Sequence, residues 1–478
     1  MKPETRTFKE NARKALADTD LQSALKGMEG GFVMGRLATI DKLPEFNDMR
    51  DGAVRIKNHV LENLDVYLET FEANVIKNGG EVHWCQSPEQ ARQKVLELCR
   101  SIDAKTVTKG KSMIGEEMDL NHFLEDHSVE PIETDLGEYI IQLADERPSH
   151  IIAPAIHKTK AQVSDLFHEH HKKYGKTKRL EDPRELLEEA REILRPKYVK
   201  ADVGITGANF MIAETGSTVI VTNEGNGDLT QTLAKMHIVL ATPEKIAPTL
   251  EDASTMLRIL ARSATGQEYS VYTTFSSGAR RPEDLDGPSS YHVIILDNGR
   301  SNMVGGDFEE MLRCIKCGAC LMHCPVWTNI GGHAYGWVYP GPMGSVLTPN
   351  LIGLEDACHL PNASTFCGRC QEVCPERIPL PRMLRKHREN AYSAKMGSPV
   401  ERTGLAVWSF FVRRPKLYRL ATGLAMKALK MLSGGKGKLR SAPLAKGWTG
   451  ARDLPAPEGK TFMAQYREQA RRRAGGRS

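Results

Sequence analysis

The sequence predicts an α/β domain with a mostly parallel sheet, followed by a smaller cysteine-rich domain of short helices and turns. Three observations lead to this fold class. Short β-rich runs alternate with helical stretches between residues 79 and 300, a pattern typical of open α/β sheets. Eight of the ten cysteines fall between positions 314 and 374. Gly and Pro recur through residues 301–390, as they do in loop-rich segments.

Four regions are predicted along the 478 residues. Residues 1–78 carry apolar side chains at helical spacing and form a helical N-terminal region. Residues 79–300 form the α/β domain, residues 301–395 the cysteine-rich domain, and residues 396–478 a C-terminal helix with an extended arm. A charged connector helix that faces solvent is predicted over 182–197. The predicted buried strands are 81–84, 106–108, 151–153, 201–205, 218–222, 237–240 and 291–296.

The composition is typical of a cytoplasmic globular protein. No run of 18 or more uncharged apolar residues occurs, and the charged N-terminus has no apolar signal-peptide core. A small net charge of +5 and the lack of basic-aromatic or finger motifs argue against a nucleic-acid partner. The stretch from Trp408 to Leu432 has two interpretations. We favour a helix that covers the protein's own core, and the alternative is a peripheral contact with the inner face of the membrane or with a partner subunit.

The strongest signal is the bacterial ferredoxin spacing C-x2-C-x2-C-x3-C-P, formed by Cys314, Cys317, Cys320, Cys324 and Pro325. The first three cysteines wrap one iron–sulfur cluster in a tight loop, while the fourth ligates the other cluster. The alternative is a zinc knuckle. Zinc ligands usually come as pairs separated by longer gaps, so the pattern favours iron.

A second copy of the motif is formed by Cys367, Cys370, Cys374 and Pro375, with Ser364 where a first cysteine is expected. The two motifs predict two [4Fe–4S] clusters, and the crossover rule distributes the cysteines between them. The fourth ligand of the second cluster has three candidates: Cys358, the Ser364 oxygen and a non-protein ligand. The alternative for Cys358 is a small buried hydrophobic residue. The predicted ligands are Cys314, Cys317, Cys320 and Cys374 for the first cluster, and Cys324, Cys367 and Cys370 for the second.

Polar turns follow strand-like runs in the α/β domain. Glu214, Ser217, Asn223 and Glu224 are weak candidates to line a site for a small acid, with Glu214 or Glu224 as a base; ordinary tight turns explain them as well. No G-x-G-x-x-G fingerprint or Walker A motif is present, and the segment 109–112 is too short for a phosphate loop. These absences argue against NAD and ATP.

Together these motifs resemble the lactate utilization protein B family. The resemblance extends over nearly the whole chain and is most specific at 205–208, 214–217, 223–226, 314–333, 341–344 and 367–375. It implies a lactate-utilization domain, similar in fold to the sugar-phosphate isomerase and CoA-transferase type, and a ferredoxin-like α-helical domain with two clusters. The family pattern includes the seven cysteines assigned above. Cys358 is not part of it.

The resemblance also implies a function. We expect an electron-transfer subunit of a complex that oxidises L-lactate to pyruvate and allows growth on lactate. The expected partners are a cysteine-rich iron–sulfur subunit, a small subunit with the same α/β domain, and an acceptor such as a membrane quinone. The resemblance does not assign dehydrogenation to one subunit. Two alternatives are a relay for another 2-hydroxy acid such as glycolate, and a non-catalytic iron–sulfur regulatory or binding protein.

Overall fold

The computed structural model describes residues 3–441, 449 and 452–475. The chain forms two compact units, one up to Ser393 and one from Ala394 onward. The N-terminal region, the α/β domain and the cysteine-rich domain predicted from the sequence all belong to the first unit. We describe each unit separately.

The N-terminal region is helical, with a π-helical turn at Glu29–Val33 between its second and third helices. Asp18 accepts hydrogen bonds from the backbone N–H groups of Asp20 and Leu21 and so caps the second helix. The longest helix buries one face, which includes Phe46, Ala53 and Val60. The five helices are α1 (Phe8–Ala17), α2 (Thr19–Lys26), α3 (Met34–Asp41), α4 (Phe46–Glu62) and α5 (Leu64–Lys77).

The α/β domain contains a six-stranded sheet in which every neighbouring pair is parallel, in the order β1-β10-β7-β4-β2-β3. The prediction of a mostly parallel α/β sheet is therefore confirmed. Its central strands are buried on both faces, as parallel strands between helices are. The strands are β1 (Glu81–Cys85), β2 (Thr106–Gly110), β3 (Glu130–Glu133), β4 (Val203–Gly207), β7 (Met236–Ala241) and β10 (Ser290–Leu296).

Helices connect these strands, and several begin at recognisable caps. Ser87 caps α6 ahead of a proline, and Thr159 with Gln162 forms a capping box on α10. The helices are α6 (Pro88–Ser101), α7 (Met113–Glu117), α8 (Leu120–Asp126), α9 (Leu136–Leu143), α10 (Lys160–His170), α11 (Pro183–Lys200), α12 (Asn226–Leu233) and α13 (Leu250–Ala264).

A smaller four-stranded sheet lies beside the main one, in the order β8-β5-β6-β9. Its strands are β5 (Phe210–Ile212), β6 (Ser217–Thr222), β8 (Ile246–Ala247) and β9 (Tyr272–Ser276). β5 and β6 form an antiparallel hairpin. The hairpin turn at 213–216 and the segment after Thr222 therefore lie at opposite ends of β6, which is about 20 Å long at roughly 3.3 Å per residue.

Two sequence expectations in this domain are wrong. Residues 151–153 were predicted as a buried strand but form an irregular loop. Their backbone is held locally, because the N–H groups of Ile152 and Ala153 donate to His150 Nδ1 at 3.2 and 3.1 Å. The predicted connector helix does not face only solvent, because α11 buries Leu186, Ala190 and Leu194 against the sheet domain.

The cysteine-rich domain consists of short helices and turns around an apolar core that includes Trp327, Tyr335 and Tyr339. It packs with the N-terminal helices, since Leu25 and Met28 belong to the same core. Its helices are α14 (Ala319–Met322), α15 (Trp327–Ile330), α16 (Gly341–Ile352), α17 (Leu354–Ala357), α18 (Arg369–Glu372) and α19 (Leu380–Ser393).

The second unit contains α20 (Pro399–Val412), α21 (Pro415–Leu432), the short antiparallel strands β11 (Lys438–Leu439) and β12 (Leu454–Pro455), and α22 (Phe462–Gly475). Neither α20 nor α21 has a buried residue, and Trp408 is 61% exposed. The interpretation of Trp408 to Leu432 as the cover of the protein's own core stays a prediction. Among the described residues, no helix is long and apolar enough to span a bilayer.

A buried ion pair of the α/β domain is hydrogen-bonded to the cysteine-rich domain. Glu117 on α7 accepts two hydrogen bonds from Arg300, at 2.9 and 2.6 Å, and one from the hydroxyl of Tyr339 at 2.7 Å. Both charged side chains are almost completely buried. Arg300 also lies 3.5 Å from the buried Glu244. Loss of Arg300 therefore leaves buried carboxylates without their compensating charge.

We expect Arg300→Met to lower the stability of the chain by about 3–5 kcal/mol, because it leaves Glu117 buried without its main partner. The measurement is the shift of the urea or thermal unfolding midpoint of anaerobically purified protein. Arg258→Met is the matched control, since Arg258 pairs with Glu45 on the surface at 3.7 Å. It should cost less than about 1 kcal/mol. Equal shifts in the two variants would contradict the assignment.

Candidate functional site

Three cysteines of the first motif and one of the second line the same apolar cavity. Cys314 and Cys317 lie in the loop before α14, Cys320 lies on α14, and Cys374 follows α18. Lys316 and Gly318 have positive φ angles of 58° and 72°, which turn this loop around the cavity. These four are the cysteines that the crossover rule assigns to one cluster, so the geometry of the loop suits that assignment.

The spacing of the sulfurs differs from that of a zinc site. Four thiolates around one zinc ion at 2.3 Å lie about 3.8 Å apart. Within the described residues, no group of three cysteines has its sulfur atoms all within 4.8 Å of one another.

Buried cations surround this cavity. Arg36, Arg50, Lys57 and Arg313 are each at most 8% exposed. Arg36 donates to the carbonyl of Val373 at 3.0 Å, and Arg50 to that of Cys374 at 2.6 Å. The Nε atoms of all three arginines are buried and have no hydrogen-bond partner among the described residues. Positive charge and free donors at this position fit a negatively charged cluster.

Burial raises the pKa of Cys317 to about 12, and it raises the pKa values of Cys314, Cys320 and Cys374 as well. Without iron these thiols are therefore neutral. Iron ligation requires the thiolate, so cluster binding displaces their protons.

A second group is formed by Cys324, Cys367 and Cys370. Burial and, to a smaller extent, the neighbouring Cys324 raise the pKa of Cys370 to about 11. Burial also raises the pKa of Cys324, and the neighbouring Cys367 adds to that shift. The three sulfurs are therefore close enough to interact. Cys367 is exposed, in contrast to the first group. Beside both groups lies Tyr335, whose buried hydroxyl has no hydrogen-bond partner among the described residues.

The two candidates for a fourth ligand of the second group are placed differently. Cys358 follows α17 and is half-buried, with Arg6 and Asp356 as its charged neighbours. The Ser364 hydroxyl accepts a hydrogen bond from the N–H of Phe366 at 3.1 Å. Neither contact involves Cys324, Cys367 or Cys370, so the fourth ligand stays a prediction with its alternatives.

A cavity of about 450 Å³ lies at the carboxyl ends of the parallel strands. This edge is where open α/β sheets usually bind ligands. Segments that follow β2, β3, β4, β6 and β7 line the cavity, together with residues 151–156 and Lys316 from the cysteine loop. Because Lys316 lies between Cys314 and Cys317, the wall of the cavity is also part of the cysteine loop.

Three lysines and two carboxylates line this cavity. Lys111 donates to the carbonyl of Ile152 at 2.7 Å and lies 3.8 Å from Asp135. Lys245 donates to the carbonyl of Ala208, and burial lowers its pKa to about 8. Desolvation, followed by the charge of Asp135, raises the pKa of Glu224.

The structure separates the candidate residues named from the sequence. Asn223 and Glu224 line the cavity. Glu214 does not, and its carboxylate accepts a hydrogen bond from the N–H of Leu250 at 2.6 Å at the start of α13. Ser217 is also outside the cavity, and its hydroxyl contacts that of Ser277. The antiparallel hairpin explains this result, because it puts the two turns at opposite ends of β6.

The loop of residues 149–156 joins the cavity to the cysteine-rich domain. A Cβ on Gly332 would lie 1.8 Å from the carbonyl oxygen of Ser149, so only glycine allows this close approach. A Cβ on Gly318 would meet the ring of His150 at 3.1 Å. Ile151 belongs to the core around the cysteines, while Ile152 lines the cavity.

Family models match three consecutive parts of the chain. A LUD domain matches residues 68–296, a 4Fe-4S dicluster domain matches 310–378, and the C-terminal region of lactate utilisation protein B matches 386–471. Curated relatives match from end to end. Lactate utilization protein B of Geobacillus kaustophilus is 41% identical and covers 99% of both chains.

The chain belongs to the lactate utilization protein B family. Other members are similarly related to it: the proteins of Oceanobacillus iheyensis and Geobacillus thermodenitrificans are 41% and 42% identical and cover 97% and 98% of both chains. The prediction of a lactate-utilization α/β domain followed by a ferredoxin-like domain is confirmed, and so is the prediction of iron–sulfur clusters.

A solved structure, that of a DUF162 family protein from Deinococcus radiodurans, covers 49% of this chain and 98% of its own. Its identity is 12% and its TM-score 0.28, so it carries no further argument.

We expect Cys374→Ser to disturb the cluster of the first motif, although Cys374 belongs to the second, because it lines the cavity of Cys314, Cys317 and Cys320. Paramagnetic resonance of the reduced protein is the measurement, with Cys367→Ser as the comparison. The two variants should lose different signals. Loss of the same signal in both would show that the crossover assignment is wrong.

We expect Arg50→Met to lower the reduction potential of the first cluster, because a buried positive charge favours the more negative, reduced state. A tenfold change in the redox equilibrium corresponds to about 60 mV, and we expect a shift of that order. Arg55→Met on the same helix is the control, because Arg55 is exposed. A redox titration followed by paramagnetic resonance measures both. An unchanged potential in Arg50→Met would contradict the proposed charge compensation.

Proposed function

We propose that the chain is the iron–sulfur electron-transfer subunit of a complex that oxidises L-lactate to pyruvate. Its relatives carry the name lactate utilization protein B, and this supports a role in lactate utilisation. The observation that carries the finer proposal is the shared wall between the α/β domain and the cysteine-rich domain. Lys316, between two ligand cysteines, lines the cavity at the strand ends.

The residues would hold two [4Fe–4S] clusters as the sequence motifs indicate. Cys314, Cys317, Cys320 and Cys374 would ligate the first, and Cys324, Cys367 and Cys370 the second. When bound, such clusters accept and release single electrons. The protein binds and orients them: Arg36, Arg50, Lys57 and Arg313 compensate the negative charge, and the apolar core around Trp327 excludes water.

The two groups of cysteines have different access to solvent. Cys317, Cys320 and Cys374 are 8% exposed and lie in the cavity next to the α/β domain. Cys367 is exposed, and a hydrogen bond from the N–H of Arg369 lowers its pKa. This arrangement supports entry of electrons at the buried group and their exit to a partner subunit at the face that contains Cys367.

The partners in this proposal are a cysteine-rich iron–sulfur subunit, a small subunit with a LUD domain, and an acceptor such as a membrane quinone. We place the exposed face of α20 and α21 among the candidate contact surfaces, because Trp408 and Leu420 are more than 60% exposed there. Large exposed apolar side chains are typical of interaction surfaces.

We expect the anaerobically purified chain to contain about eight iron atoms, four for each cluster. Cys320→Ser and Cys370→Ser should each lower this number to about four. Iron and acid-labile sulfide analysis measures it. Cys85→Ala is the control, because Cys85 is a buried thiol on β1 remote from both motifs, and it should leave the iron content unchanged. A reconstituted wild-type chain that saturates near four irons would contradict the two-cluster assignment.

The function itself is tested in the complex isolated with its partner subunits. L-Lactate should reduce the clusters of this chain under anaerobic conditions, and glycolate should do so less well. Dithionite is the control for clusters that can be reduced. Clusters that respond to dithionite but to neither acid would refute the relay. A larger response to glycolate would transfer the proposal to another 2-hydroxy acid.

A further inference from the structure

We propose that the cavity at the strand ends is a carboxylate site, in which Lys111, Lys245 and Lys316 hold a small 2-hydroxy or 2-oxo acid. The identity of the acid rests on the proposed function, while the site itself rests on the positions and contacts of the three lysines. The three lysines come from the ends of two strands of the sheet and from the cysteine loop.

Two of these cations share a single buried carboxylate, Glu244, which also lies 3.5 Å from Arg300. Among the described residues, neither Lys245 nor Lys316 has a carboxylate within 4.0 Å, the limit for an ion pair. Lys316 instead lies over the ring of Tyr339, at 5.0 Å from its centroid. Burial lowers the pKa of Lys245, Glu244 opposes that shift, and the charge of Lys316 adds to it. Two neighbouring cations at a cavity wall repel each other, and an anion between them relieves that repulsion.

Lys111 and two carboxylates on the cavity wall determine how much negative charge a bound anion can carry. Lys111 lies 3.8 Å from Asp135. Asp135 also accepts hydrogen bonds from the N–H groups of Gly137 and Glu138, so it occupies the N-terminus of α9. Glu224 adds a second carboxylate to the wall. These carboxylates would repel a doubly charged phosphate more strongly than a singly charged carboxylate. The N-terminus of α9 cannot offset this repulsion, because Asp135 already caps it.

Other groups on the wall suit the rest of a small hydroxy acid. The side-chain oxygen of Asn209 accepts a hydrogen bond from the N–H of Val221 at 2.9 Å, which leaves its NH2 group as a donor. Such a donor suits a hydroxyl or keto oxygen next to the carboxylate. Ile152, Ile156 and Leu260 supply apolar contacts for the hydrocarbon end.

The position of Lys316 gives the site a spectroscopic signature. Because Lys316 is bracketed by Cys314 and Cys317, an anion at its ammonium group changes the electrostatic environment of the first cluster. Acid binding should therefore shift the paramagnetic resonance signal that Cys374→Ser removes. The signal that Cys370→Ser removes should not shift.

The test is calorimetric titration of the anaerobic, iron-replete full chain with sodium L-lactate, sodium pyruvate, lactamide and inorganic phosphate. We expect both acids to bind, and neutral lactamide and phosphate to bind at least about tenfold more weakly, because each charge-assisted contact contributes that much. Lys111→Met and Lys245→Met should each weaken pyruvate binding about tenfold or more. Lys105→Met, an exposed lysine that pairs with Asp103, should bind like the wild type.

Iron content and the dithionite-reduced spectrum are measured for every variant, so that a damaged cluster is recognised. If Lys316→Met loses iron, the other two lysine variants still decide the question. Absence of binding of either acid at millimolar concentration to iron-replete protein would overturn the site. Unchanged affinity in Lys111→Met and Lys245→Met would overturn it too, and phosphate binding as tight as that of pyruvate would overturn its selectivity for carboxylates.

These outcomes are distinct from failure of the proposed function. If the acids bind but L-lactate does not reduce the clusters in the complex, the relay fails and the carboxylate site stands. If L-lactate reduces the clusters but the isolated chain binds neither acid, the relay stands and the site is wrong.

Discussion

Compensation of buried charge around the first group of cysteines is the constraint on which the first unit depends. Arg36 and Arg50 come from the N-terminal helices, yet they donate to carbonyls of the second cysteine motif more than 300 residues away. A cation buried without a partner costs several kcal/mol. The N-terminal helices therefore contribute to the predicted metal site. Their packing, the position of Cys374 and a negatively charged cluster would stabilise one another.

Buried charge is also compensated at the boundary between the cysteine-rich and α/β domains. Glu117, Arg300 and Tyr339 form a buried hydrogen-bonded group across it, and residues 149–156 pack between the cavity and the cysteine core. The carbonyl oxygen of Ser149 in that loop lies so close to Gly332 that a Cβ at this position would be only 1.8 Å away from it. The cavity wall and the cysteine loop are thus held close to each other, as the proposed electron transfer between them would require.

The sequence predicted the local features of the site better than the non-local ones. The spacing and the crossover rule group four cysteines together, and the structure places these four around one cavity. Their role as ligands stays a prediction. The lysines of the cavity were missed, because Lys111, Lys245 and Lys316 come from separate segments and only the tertiary fold brings them together. Glu214 was grouped with Glu224 since both follow strand-like runs, but an antiparallel hairpin separates them. Residues 151–153 have the apolar character of a strand, yet Ile151 is buried in the core around the cysteines and Ile152 packs against that core, outside the sheet.

The two cysteine groups differ in their surroundings. The first group is buried beside cations, whereas the second includes an exposed cysteine that is accessible to solvent. Tyr335, beside both groups and fully buried, provides a hydroxyl with no other hydrogen-bond partner among the described residues. Its ring also excludes water there. In the proposed relay, the interior group lies next to the α/β domain and the exposed cysteine is accessible to a partner subunit. A regulatory sensor needs only the exposed position, whereas the proposed relay uses both.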